Sequence, residues 1–139
     1  MEKKHRVIIV DDHALVRAGL RLLLDRDPDI EVVGEAGNGR LALSEVGILA
    51  PHLVLMDISM PQMNGLEATA EIKRSYPQVR VLVMTMHNSK EYVQASLKAG
   101  ADGYILKEAA PEEFFAAIHT VLQGKLYLSE GVSGIEDSD

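Results

Sequence analysis

Leu53-Val54-Leu55-Met56-Asp57-Ile58-Ser59-Met60-Pro61 is the stretch on which the rest of the chain depends. Four apolar residues run into a single carboxylate, and turn residues follow. So short an apolar run, ended by turn signals, suits a strand buried on both faces. Asp57 therefore stands where a core strand meets solvent. A carboxylate held there can be a nucleophile, a metal ligand or a helix cap, and this stretch alone leaves all three open.

Similar runs lie on either side. Val7-Ile8-Ile9-Val10 is a β-branched run that ends in Asp11-Asp12. Val81-Leu82-Val83-Met84 ends in Thr85, and Gly103-Tyr104-Ile105-Leu106 ends in Lys107. Ile30-Glu31-Val32-Val33 alternates imperfectly and reads as a more exposed strand. Helical spacing recurs between these runs. Val16, Leu20, Leu23 and Leu24 mark the first helix, stopped at Asp27-Pro28. Asn38 caps a second helix through Leu41, Ala42, Glu45 and Val46, broken at Ala50-Pro51. Asn64 with Glu67 has the form of a capping box, and Leu66, Ala70 and Ile72 give that helix its buried side. A fourth helix opens at Asn88-Ser89-Lys90-Glu91. A fifth opens at Pro111-Glu112-Glu113, with Phe115, Ile118 and Leu122 on one face.

Five strands alternating with five helices call for a parallel sheet covered on both faces by right-handed crossovers. The expected fold is α/β, a flavodoxin-like doubly wound five-stranded parallel sheet in the order 2-1-3-4-5 with five helices. Its switch point falls between the first and third strands, so Asp11 and Asp12 face Asp57 there, with Thr85 and Lys107 on the same rim. Residues 1–125 read as one domain. Residues 126–139 are polar, small and acidic, and read as a linker or frayed tail before a further domain.

Composition narrows the chemistry. Hydrophobic residues make up 47% and charged ones 25%, which is ordinary for a water-soluble domain. There is no cysteine, so thiolate chemistry and zinc–cysteine sites are excluded. The start is neither a signal peptide nor a membrane span, and the lack of cysteine suits a reducing, cytoplasmic setting. The formal net charge of −7 opposes a general nucleic-acid surface. Gly34, Gly37 and Gly39 have the wrong spacing for a dinucleotide fingerprint. The methionines, Met56, Met84 and Met86 among them, read as core filler. His13 reads as an exposed loop residue, and His5, His52 and His119 carry no functional reading.

Three neighbouring carboxylates repel one another and favour a cation. All-oxygen ligands without cysteine select a hard divalent ion, Mg²⁺ first. Lys107 adds a mobile positive charge, Thr85 a hydroxyl donor, and helix N-termini favour anions. Together these groups suit a transferring phosphoryl group. A carboxylate attacking phosphorus needs no deprotonation, so the lack of an acid–base relay is no obstacle. Asp57 is the best nucleophile.

The acidic pair Asp11-Asp12, then Asp57, Thr85 and Lys107, each at a strand end and in this order, resembles the receiver domain of two-component response regulators. The likeness runs from about Val7 to Leu122. Val10-Asp11-Asp12-His13, Met60-Pro61-Gln62-Met63-Asn64-Gly65, Thr85-Met86-His87 and Gly100-Ala101-Asp102-Gly103-Tyr104-Ile105-Leu106-Lys107 are similar to the NarL/FixJ subfamily. The resemblance implies that Asp57 accepts a phosphoryl group from a sensor histidine kinase. It implies Mg²⁺ held by the side chains of Asp12 and Asp57, by the main-chain carbonyl of Ser59 and, through water, by Asp11. Thr85 and Lys107 would bind the phosphoryl oxygens, and Thr85 with Tyr104 would form the switch, Tyr104 moving inward as Thr85 is drawn to the phosphate. Homodimerisation, and DNA binding through a LuxR-type helix-turn-helix domain absent from this chain, are further implications.

Glu108 stands where many receivers carry Pro, so a cis peptide there is not implied. Ser59 and His87 occupy positions that influence phosphate lifetime in the family. Two other readings use the same residues. A Mg²⁺-dependent phosphohydrolase of the haloacid-dehalogenase kind also uses an Asp nucleophile, but commonly needs a second Asp two residues on, where this chain has Ser59. A degenerate receiver acting only as a binding module would lack the full set of site residues.

Overall fold

In a computed structural model, residues 4–58, 65–86 and 89–129 are described. The expected Asn64 cap, the Ser59 carbonyl, His87 and the tail from Glu130 lie outside these residues. The strands are β1 (His5–Val10), β2 (Ile30–Ala36), β3 (Leu53–Asp57), β4 (Arg80–Thr85), β5 (Gly103–Leu106) and β6 (Tyr127–Leu128). The helices are α1 (Ala14–Leu24), α2 (Gly39–Leu49), α3 (Gly65–Ser75), α4 (Lys90–Lys98) and α5 (Pro111–Leu122). All strand pairs are parallel, in the order β2-β1-β3-β4-β5-β6. The five expected strands take their expected order. The sixth is an addition, formed where the linker is expected to begin.

The central strands are apolar on both faces because both faces are covered. On one side Ile8, Val10, Val54, Met56, Val81, Val83 and Tyr104 pack with Ala42, Val46, Ala68, Ile72 and Val93 of α2, α3 and α4. On the other, Val7, Ile9, Leu53, Leu55, Leu82, Met84 and Ile105 pack with Leu24 of α1 and with Phe114, Ala117, Ile118 and Val121 of α5. The imperfect alternation of β2 has a local cause. The register with β1 shifts between Val7 and Ile8, pairing Val7 with Val32 but Ile8 with Gly34. That skips Val33 and reverses which face each later residue meets.

Helix ends follow the sequence where it can be checked. The Asn38 side chain accepts from Leu41 N at 2.9 Å, Ser89 accepts from Tyr92 N, and Pro111 opens α5. Three details differ from the spacing argument. In α3 the buried set is Gly65, Ala68, Thr69 and Ile72, while Ala70 is exposed. In α5 Phe114 enters the core and Phe115 is only half-buried, under the Arg26 guanidinium. Each is a shift of one or two positions, equal to 100–200° around a helix. Met86 is 64% exposed and is not core filler. No cis peptide bond occurs among the described residues.

Candidate functional site

The C-terminal ends of the strands share one rim because the hydrogen-bond ladder continues past each strand. Asp11 N donates to Ala36 O at 3.0 Å, Ile58 N to Met84 O at 3.3 Å, and Lys107 N to Thr85 O at 2.8 Å. These bonds bring the residues after β1, β3 and β5 level with one another. Asp11 and Thr85 are fully buried and Asp57 is 1% exposed.

Lys107 draws the acids together. Its Nζ lies 2.7 Å from Asp11 Oδ2 and 3.3 Å from Asp57 Oδ2. Burial alone would lower the pKa of this amine. The two carboxylates outweigh burial and hold it above its ordinary value, so the ammonium persists at neutral pH. Asp12 sits beside this group with a side chain 28% exposed, touching His13. His13 Nδ1 is 2.9 Å from Asp12 Oδ1 and 3.2 Å from Asp11 Oδ1, and its main-chain N–H donates to Asp11 Oδ1 at 2.9 Å. Although 69% exposed, His13 is thus part of the acidic cluster and not a bystander. Ligand atoms of Asp11, Asp12 and His13 all lie within 4.8 Å of one another. Two of the carboxylates face Lys107 and the third, Asp12, faces His13, and a donor set dominated by carboxylate oxygen fits a hard cation.

Tyr104 is fully buried. Burial first, then the neighbouring Tyr92, pushes its phenol up to about 12, while a hydrogen bond with the Thr85 side chain acts the other way. The two expected switch residues are therefore in contact.

Gly65 is a functional position that the spacing argument does not single out. A Cβ there would lie 2.2 Å from the Asp57 carbonyl oxygen and 2.7 Å from Ile58 Cα. The start of α3 thus rests on the backbone of Asp57, and only glycine permits it. The signals for it are its place directly after a predicted cap and at the end of the Met60–Gly65 stretch that is similar to the NarL/FixJ subfamily.

A family model described as response regulator receiver domain matches residues 7–119. The chain belongs to this family. Within it, the receiver is 39% identical over 129 residues to the nitrate/nitrite response regulator protein NarL of Escherichia coli K12, covering 93% of this chain and 60% of NarL. It is 40% identical over 132 residues to the transcriptional regulatory protein DegU of Brevibacillus brevis, covering 95% and 56%. Among solved structures, it superposes on a LuxR-family two-component response regulator from Aurantimonas sp. SI85-9A1 with a TM-score of 0.92, at 34% identity and 97% coverage of both chains. The isolated receiver of RcsB from Salmonella enterica, solved with phosphomimetic BeF3⁻, gives a TM-score of 0.86 at 31% identity, covering 96% of this chain and 99% of that one. The resemblance to the NarL/FixJ branch is thereby borne out. The receiver spans somewhat over half the length of NarL and DegU. No helix among its described residues is long and apolar enough to cross a membrane.

Proposed function

We propose that this receiver accepts a phosphoryl group on Asp57 from the phosphohistidine of a sensor kinase and changes conformation to control an output. The observation that carries the reading is the Lys107 ammonium bridging Asp11 and the buried Asp57 at a strand-end rim. An Asp57 oxygen attacks phosphorus, the P–N bond of the donor breaks, and the departing imidazole takes up a proton. The nucleophile is already an anion, so no base is required. Lys107 and Thr85 stabilise charge on the phosphoryl oxygens.

Mg²⁺ is the cation this acidic rim suits. Asp12 and Asp57 would hold it by side chain, Ser59 by its main-chain carbonyl and Asp11 through water. When bound, it neutralises charge on the transferring group. Slow self-catalysed loss of the phosphate belongs to the same reading, and Ser59 and His87, which bear on its rate in the family, lie outside the described residues.

Contact between Thr85 and Tyr104 supports the switch. The state with Tyr104 buried is the one that a phosphoryl–Thr85 hydrogen bond would favour, and the alternative conformer has Tyr104 turned outward. Coupling of about 1–3 kcal/mol is typical of such devices. The likeness to NarL and DegU supports transcription as the output, cytoplasmic location, and DNA contact through a domain beyond this chain. Homodimerisation accords with the likeness to RcsB, which has been solved as dimers bound to DNA.

The test is phosphorylation by acetyl phosphate with Mg²⁺, followed by intact mass and hydroxylamine lability. The wild-type protein gains one labile phosphoryl group and Asp57→Asn gains none. Equal labelling of the variant would sink the assignment. Rapid multiple turnover of small phosphate esters would favour the phosphohydrolase instead.

A further inference from the structure

Arg17, on α1, is used by nothing described so far. Its side chain is only 20% exposed. One guanidinium nitrogen, Nη1, donates to the main-chain carbonyl of Asp11. Another, Nε, donates to Glu35 Oε1 at 3.0 Å. The second oxygen of Glu35 accepts from Arg21 Nε at 2.7 Å. The Arg21 hydrogen bond, reinforced by that of Arg17, outweighs burial and holds the Glu35 carboxyl below its ordinary range.

Glu35 precedes Ala36 on β2, and Ala36 O accepts from Asp11 N. Asp11 is therefore held on both sides of its Cα. Its N–H is fixed by the backbone of β2, and its carbonyl by an arginine anchored on the next residue of the same strand. That carbonyl belongs to the peptide plane leading into Asp12. Asp12 lies between β1 and α1, outside regular structure and with a partly exposed side chain. Fixing the plane sets where the Asp12 Cα sits and so restricts the positions its carboxylate can reach.

We propose that Arg17, anchored by Glu35, is a positioning residue for divalent-cation binding at Asp11 and Asp12. The inference rests on the Mg²⁺ reading above. Its sign separates it from simple electrostatics. A guanidinium near an acidic rim repels a cation, so on charge alone its removal tightens binding. On positioning, its removal loosens binding, because the acidic loop must then be ordered at the moment of binding. Arg21 provides the control, since it shares Glu35 but makes no contact with the Asp11–Asp12 peptide.

The experiment is a Mg²⁺ titration of the whole chain, followed by backbone amide resonances and calorimetry, with thermal unfolding measured in parallel. Arg17→Ala should weaken Mg²⁺ binding about tenfold, the lower end of what outer-shell partners of metal sites contribute. Arg17→Lys keeps the charge but cannot reach both partners, and should recover only part of the loss. Arg21→Ala should lower thermal stability while leaving Mg²⁺ affinity close to wild type. Arg17→Met, which keeps the aliphatic packing and loses the charge and both hydrogen bonds, should weaken Mg²⁺ in the same direction as Arg17→Ala, and carries the test if the alanine variant does not fold. Equal or tighter binding by Arg17→Ala, or by Arg17→Met in its place, overturns the proposal, as does an Arg21→Ala loss as large as theirs. A wild-type chain that binds no Mg²⁺ overturns the acidic-site reading along with it. A binding wild type with unaffected variants overturns the positioning role alone.

Discussion

At the C-terminal rim of the sheet Lys107 faces Asp11 and Asp57, and at the opposite end Lys73 faces Asp102. Both lysines are mostly buried, and both sit within 3 Å of a carboxylate oxygen. Their surroundings differ. Lys73 lies 2.9 Å from Asp102 Oδ2 and also donates to Val79 O at 2.9 Å. Asp102 Oδ2 accepts from Val81 N at 2.9 Å, and Asp102 Oδ1 has Arg80 at 3.8 Å. One acid there is matched by two cations and a backbone donor. At the rim one lysine must serve Asp11 and Asp57, with Asp12 alongside. Matched charge holds elements together, whereas an excess of one sign leaves a demand for a ligand.

Removing one carboxylate charge should thus act with opposite sign at the two ends. Asp102→Ala strands Lys73 and the Val81 amide and should cost about 2–3 kcal/mol, below the figure for a fully buried pair because both side chains keep some exposure. Asp57→Asn removes an almost fully buried anion. The facing oxygens of Asp11 and Asp57 lie no further apart than the sum of their distances to Lys107, about 6 Å. Repulsion at that separation is about 3 kcal/mol at an effective dielectric near 20. Lys107 keeps Asp11 as its partner, and asparagine avoids the ionic desolvation cost. Without Mg²⁺, Asp57→Asn should therefore be more stable than wild type by about 1 kcal/mol, because the relieved repulsion and the avoided desolvation cost, several kcal/mol for a buried ion, together exceed the lost attraction to Lys107, about 5 kcal/mol at the same dielectric. Saturating Mg²⁺ should erase the gap by stabilising wild type alone. Urea unfolding of both variants with and without the ion measures this. A loss in Asp57→Asn equal to that in Asp102→Ala would break the comparison.

A second matched pair sharpens it through pH. His119 Nε2 lies 2.7 Å from Asp27 Oδ2 and ties α5 to the turn before β2. Burial raises the Asp27 pKa, but the Asp29 amide and the His119 ring together carry it below its ordinary value. A carboxyl depressed in the folded state contributes stability that is present above its unfolded pKa, near 4, and lost as pH falls through the folded pKa. Asp27→Asn should cost about 1 kcal/mol at neutral pH. Its stability should then fall less steeply than that of wild type once pH drops below about 4. Parallel acid-unfolding curves for the two proteins would mean that the pair contributes nothing.

How much of this was legible depends on range. Val7–Val10, Leu53–Met56 and Val81–Met84 announce a buried parallel sheet because both faces demand apolar residues. The rim then follows, since each polar residue directly succeeds its strand. Asp11, Asp57 and Lys107 were therefore readable as neighbours before any coordinate. Arg17 and Glu35 were not, because a charged residue on a helix and one on an edge strand carry no mark of their partner. His13 was discounted for its exposure, although exposure does not prevent a ring from reaching two carboxylates. Gly65 was hidden by a different limit. Its necessity comes from a 2.2 Å approach to the Asp57 carbonyl, a purely tertiary fact. Phe114 and Phe115 show the resolution of periodicity itself, which places a face but not which of two adjacent aromatics enters it.

The smallest effect concerns β6, whose residues read as the start of a polar linker. Tyr127 and Leu128 pair with Gly103 and Tyr104, so this segment lies against the strand that carries Tyr104. Tyr127 OH donates to Glu113 Oε2 at 2.6 Å, and Ser129 Oγ donates to the same oxygen at 3.1 Å. Ser129 Oγ also accepts from Leu106 N at 3.0 Å, and Ser129 N donates to Tyr104 O at 2.9 Å. Glu113 thus receives two hydroxyls and, among the described residues, no cation, a third way of satisfying an acid, distinct from both ends of the sheet. Tyr127→Phe removes one donor, while the Ser129 hydroxyl stays in place. Its cost should be at most about 1 kcal/mol globally. Locally, faster hydrogen exchange should appear at the Leu106 and Ser129 amides and leave those of β1 and β3 unchanged. Uniform acceleration across the sheet would show instead that β6 is part of the core, no more separable than Leu53 or Val54.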